Sequence, residues 1–279
     1  MSHARIILAA VALLFLGGAG WLITRRPARE RAWSPDHSVL PQARIEGSRV
    51  RTVGVRNFRY GLNGNVRPAF EERTFDLDRL ESVWFVLVPF SRRWRAPAHS
   101  FVSFGFGDSQ FVGISVEARR EVDEEYSVLA GLFRRYELMY VVADERDLVL
   151  RRVLKDSSDV YLYPVNATPA KARELFVRMA QRANQLAVRP EFYNTAWNNC
   201  TSNLVAHVNA IAPGRIPAGW RTLLPGYADE VALELGLISD SGPVELVRRR
   251  YQVNHRASRH ALDPDFSLRI RETESASPR

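Results

Sequence analysis

The 279-residue chain holds a single cysteine, Cys200, so no internal disulfide framework is open to it. Lysine is nearly absent, with only Lys155 and Lys171, and the formal charge of +8 is carried by arginine. Those arginines lie in small scattered groups, such as Arg92-Arg93, Arg119-Arg120, Arg134-Arg135 and Arg248 to Arg250. They are not clustered with aromatic residues, which excludes the electrostatic footprint of a nucleic-acid binder; attraction to anionic lipid headgroups suits them better. His255 and His260 lack the spacing of a helical zinc pair and have no cysteine partner, so neither a metal nor a cofactor is expected. Internal repeats and a second long apolar run are also missing.

What is present is apolar material for a core, at 46% hydrophobic residues, and one uncharged run, "IILAAVALLFLGGAGWLI", from Ile6 to Ile23. At ~1.5 Å per residue this run is just long enough to cross a bilayer core of ~30 Å. It has no clear small-x-small cleavage site and reads as an uncleaved single-pass anchor over residues 1–24. Arg5 alone precedes it, whereas Arg25, Arg26, Arg29 and Arg31 follow, a balance that places the body of the protein in the cytoplasm. Residues 25–52 are rich in Arg, Pro and Ser and read as a linker. The expected folded domain spans 53–245, with a polar tail over 246–279.

Within the domain, "SVWFVLVPF" (82–90) is a dense β-branched and aromatic run, the pattern of a buried strand. "HSFVSFGFGDSQFVGISVEARR" (99–120) reads as a hairpin around "GDSQ", and "RYELMYVVADE" and "DVYLYPV" as further strands. Thr168 and Pro169 open a helix as N-cap and first helical residue, with Ala172, Leu175, Phe176, Met179, Ala183 and Leu186 on one stripe. A second helix starts near Cys200, and a third runs from Tyr227 to Leu235 before Gly236. The expected class is α+β, an antiparallel sheet with helices packed on one side.

The stretch "WNNCTSNL" (197–204) sets the only thiol among polar residues. Asn198 or Asn199 is a good N-cap, and with either choice Cys200 falls in the first helical turn, where free amide N–H groups favour a thiolate. The alternative is a small buried side chain at a helix start. A nucleophilic cysteine needs a base, and His207 is ~10 Å along the same helix. His99, at the start of a strand, is the candidate. Glu117 is the candidate for the group that orients the imidazole, provided the hairpin loop has three residues, Gly107 to Ser109. A four-residue loop would turn Glu117 to the other face, as a carboxylate paired with Arg119 or Arg120.

The order "AHSFVSFGF", "VGISVEARRE", "YELMYVVADERD", "YNTAWNNCTSNL", "LLPGYADEVALELGLI" resembles the Lnb-type N-terminal periplasmic domain family, related to a bacterial lipoprotein N-acyltransferase. The resemblance covers residues 57 to 240. It implies a circularly permuted papain-like domain in which Cys200 is the nucleophile and His99 the base. It also implies a periplasmic domain on an inner-membrane anchor, against the arginine count, and a phospholipid or lipoprotein substrate. The resulting expectation is acyl transfer through a Cys200 thioester, with Asn198 or Asn199 beside the oxyanion. An envelope cysteine peptidase or amidase is the alternative enzyme, and a silent scaffold domain the non-enzymatic alternative.

Overall fold

The computed structural model describes residues 17, 18, 20, 24–61, 64–91, 93, 97–107 and 109–272. Apart from three glycines, the apolar run 6–23 lies outside them. Among the described residues no helix is long and apolar enough to cross a membrane.

The strands are β1 (Gln42–Glu46), β2 (Arg49–Arg56), β3 (Arg59–Tyr60), β4 (Val66–Arg67), β5 (Phe70–Asp76), β6 (Leu80–Pro89), β7 (Ala98–Phe106), β8 (Gln110–Arg119), β9 (Glu137–Asp144) and β10 (Tyr161–Pro164). Eight of them form one sheet in the order β1-β2-β9-β8-β7-β6-β10, with β5 also on β2. All pairings in it are antiparallel except a short parallel contact between β2 and β9 at Arg56 and Ala143. The β7–β8 hairpin pairs Phe106 with Gln110 and Phe101 with Ser115, which is the register of a three-residue loop. Gly105 and Gly113 have no Cβ for a steric reason: one built there would meet Phe111 or Leu148 side-chain atoms at 2.6 and 2.3 Å.

Helices cover both faces of this sheet, not the one face expected. The cause is visible in β7, all of whose residues are buried, so its odd and even side chains each need a partner layer. On one face Val102, Phe104, Ile114 and Tyr140 pack against Leu175, Phe176 and Met179 of a long helix, Pro169–Val188. Thr168 caps that helix by accepting from the Lys171 amide. On the other face Phe101, Met139 and Val141 pack against Leu148, Val149 and Leu150, of a short helix Glu145–Leu150 that runs on into a π-helical turn Arg151–Lys155.

Two boundaries drawn from composition are also displaced. The segment 25–52, expected as a linker, contains β1 and the start of β2, and it buries His37 to 1% exposure. It is held by the end of β8: Ser34 N donates to Arg120 O, Val122 N to Ala32 O, and Arg119 lies 4.0 Å from the Trp33 ring. The polar tail is likewise folded, in helices Val244–Tyr251, Asn254–Arg259 and Phe266–Arg269. Its buried residues, Val253, Ala257, Ala261, Phe266 and Ile270, complete the second face of the sheet. Each of these helices is shorter than the window over which helical periodicity can be read.

Candidate active site

Cys200 is the first residue of the helix Cys200–Ile211. Asn199 is the N-cap: its Oδ1 accepts from Ser202 N at 2.9 Å, and Ser202 Oγ accepts from Asn199 N at 2.9 Å. Its Nδ2 donates to Thr195 O at 2.7 Å. Asn198 Nδ2 donates to Phe192 O, while its Oδ1 accepts from Asn203. Both asparagine side chains hold the turn and the helix start, where backbone N–H groups stand free of intrahelical partners near the thiol. The thiol is 4% exposed and lies 3.8 Å from Thr201 Oγ1.

The β7–β8 pairing ends at Phe101 and Ser115. Ahead of that point lies a cavity of about 370 Å³ lined by both His99 and Cys200, together with Glu117, Arg152, Tyr126 and Tyr193. Arg120 and Arg151 also face it. The structure thus brings Cys200, His99 and Glu117 to one place, while His207 is engaged elsewhere with Tyr140 at 2.8 Å.

Glu117 does not touch the imidazole directly. Its Oε1 stands 3.8 Å from His99 Nε2, and Ser115 bridges the gap. Ser115 Oγ donates to Glu117 Oε1 at 2.9 Å, so it must accept, at 2.7 Å, from His99 Nε2–H. That assignment leaves Nδ1 as the basic nitrogen. Ser115 escaped the sequence reading because a serine two places before a carboxylate is an ordinary strand residue until the register is known.

His37 was also missed, having been placed in the linker. Its Nδ1 accepts from the Arg120 amide at 3.0 Å, so Nε2–H donates to Glu117 Oε2 at 3.2 Å. Arg152 reaches Glu117 Oε1 at 3.3 Å, and Arg151 lies 3.8 Å from Oε2. Burial alone would raise the Glu117 carboxyl, but Arg152, the His37 hydrogen bond and Arg151 outweigh it and hold the group well below the usual carboxylate range. Burial, reinforced by Arg152, pushes His99 down to about 3, so the imidazole is neutral at pH 7. Burial likewise lowers His37. Burial, with Cys200 and Tyr126 alongside, raises the Tyr193 phenol well above its ordinary value, which keeps it a neutral hydrogen-bond donor. Among the described residues no group of His, Cys, Asp and Glu side chains is arranged to hold a metal.

A cysteine at a helix start, lining one cavity with a strand histidine that a buried carboxylate orients through a hydroxyl, has the parts of a thiol nucleophile and its base. The chain belongs to the Lnb N-terminal periplasmic domain family, whose sequence model matches residues 67–226. His99, Ser115, Glu117 and Cys200 all fall inside the matched span, whereas Asp36 and His37 precede it. No curated protein sequence and no solved structure matches the chain.

Proposed function

We propose that the protein is an inner-membrane-anchored, periplasm-facing acyltransferase that carries the acyl group as a thioester on Cys200. Cys200 Sγ attacks the carbonyl carbon of a phospholipid or lipoprotein ester while its proton passes to His99 Nδ1. The C–O bond then breaks, and His99 returns the proton to the leaving alkoxide. An amine next attacks the thioester, gives a proton to His99, and releases Cys200 as the thiolate, which takes that proton back. Backbone N–H groups at the helix start supply the oxyanion donors.

One observation carries this reading. Cys200 faces the polar cavity with His99, and the next residue, Thr201, lines a separate apolar cavity of about 100 Å³ walled by Leu204, Val205, Val208, Val231 and Ile238. A cavity of this size would take only the first few carbons of an acyl chain, with the carbonyl left on the side of the thiol. The chain order, histidine strand before cysteine helix, supports a permuted papain-like arrangement. The arginines on the polar cavity favour a second reading, a peptidase or amidase acting on anionic envelope peptides, with water as the acceptor.

Intact mass of the protein from its native membranes, before and after hydroxylamine, tests the choice. A fatty-acyl adduct that hydroxylamine removes, absent in Cys200→Ala and strongly reduced in His99→Ala, is the expected result. A bare thiol, in a protein that instead cleaves envelope peptides in a Cys200-dependent way, sinks the acyltransferase.

A further inference from the structure

We infer that the protein rests on an anionic phospholipid bilayer through an apolar patch beside the nucleophile, made by Leu129, Phe133 and Trp197. Leu129 is 69% exposed, Phe133 54% and Trp197 71%, large apolar side chains that a fold with both sheet faces covered leaves in water. They belong to two adjoining elements. Leu129 lies on the helix Val128–Leu132 and Phe133 caps its end, while Trp197 sits in the turn that leads into Cys200. Thr195 Oγ1 donates to Val128 O at 2.9 Å and Asn194 Nδ2 to Leu132 O at 3.3 Å, so turn and helix form one rigid surface.

The path of the N-terminus says what covers this surface. The apolar run ends at Ile23, and the residues after it enter the domain at this place. Arg25 lies 6.0 Å from the Phe192 ring and Arg134 lies 5.7 Å from the same ring. Ala28 N donates to Glu137 Oε1, and Glu137 pairs with Phe192 in an isolated bridge. Arg25, two residues after a run whose length in the sequence suits a bilayer core, therefore lies beside Phe192 and Arg134, next to Phe133 and the Trp197 turn. Tryptophan with arginine is the composition of a membrane–water interface, and Arg26, Arg29, Arg134 and Arg135 are exposed there. The docked surface would hold the cavity mouth close to the lipid ester plane, a consequence that rests on the acyltransferase reading; the docking itself rests only on the membrane-anchor part of it.

The test uses the full chain in nanodiscs of phosphatidylglycerol and phosphatidylcholine, with plain or brominated acyl chains. Tryptophan emission of the wild type minus that of Trp197→Phe isolates Trp197 from the other indoles. The expected result is that bromination removes more than half of this difference, and that Leu129→Asp with Phe133→Asp restores it. The same double variant should lower thioester formation from vesicle phospholipid at least tenfold, with iodoacetamide alkylation of Cys200 unchanged. Equal Trp197 emission in both lipids overturns the proposal, as does a Trp197 environment that changes only with protein concentration, which would assign the patch to a second copy. A wild type that forms no thioester yet shows the quenching refutes the acyltransferase and leaves the docking standing.

Discussion

Lowering the pH from 6.5 to 5 should destabilise this protein by about 1.6 kcal/mol through His99 alone. The imidazole is held at about 3 in the fold by burial and by Arg152, against about 6.5 in an unfolded chain. Between those values the unfolded chain binds a proton at this position and the folded one does not, so stability falls as pH falls. Each pH unit is worth roughly 1.4 kcal/mol once the unfolded imidazole is fully protonated and about half that at pH 6.5, which gives the figure above over the 1.5 units. Glu117 does not interfere: its carboxyl is depressed, so its contribution is complete above about pH 4.5 and fades only below that. His37 shifts in the same direction as His99 but is common to wild type and variant. Urea unfolding of the full chain in detergent, at pH 6.5 and 5, should show His99→Asn losing about 1.6 kcal/mol less than the wild type over this interval. Parallel losses would mean that His99 is charged or solvated in the fold, and the assignment of a neutral base with Nδ1 free would fail with it.

Two further outcomes follow from named contacts. Ser115→Ala leaves His99 Nε2–H without its acceptor and should slow thioester formation about 10- to 100-fold, with the protein still folded. Near-wild-type rates would show that Glu117 orients the ring by itself. Arg56→Met removes the bidentate partner of Asp147, which is fully buried, and should cost about 3–5 kcal/mol in a urea titration. A change below 1 kcal/mol would show that the Phe58 amide, 2.7 Å from Asp147 Oδ2, is enough to hold the anion.

The sequence exposed the parts of the site whose signals are local. A cysteine after two asparagines marks a helix start, and the hairpin register follows from loop length, so Cys200, His99 and Glu117 could be named together. Ser115 became readable only once Phe101 faced it and the pairing fixed its side of the pleat. His37, Asp36 and Arg151 could not be read locally, because their burial comes from docking between distant segments: Arg151 Nη1 meets Asp36 Oδ2 at 2.8 Å across more than a hundred residues. The same holds for the C-terminal helices. Val253, Ala257 and Phe266 are too sparse to announce a core face, yet the sheet's second face is exposed without them. One-sided covering was a reasonable inference from the long amphipathic helix; the uninterrupted apolar run of β6 was the contrary signal.

The charge arrangement also decides how a thiol would be activated here. A preformed thiolate–imidazolium pair needs His99 to hold a second proton at rest. Burial and two nearby guanidinium groups oppose this, and Glu117, which would favour it, is already shared among His37, Arg151, Arg152 and Ser115. The imidazole is thus neutral at rest, and in the proposed reaction it would take its second proton only as the sulfur attacks. An imidazolium formed in such a step would be opposed by the same guanidinium groups, which would drive the proton onward to a leaving alkoxide. Because His37 and Asp36 come from the segment that precedes the first strand, the charge balance around Glu117 depends on that segment being docked. The stretch ahead of the first strand is in this way part of the candidate site.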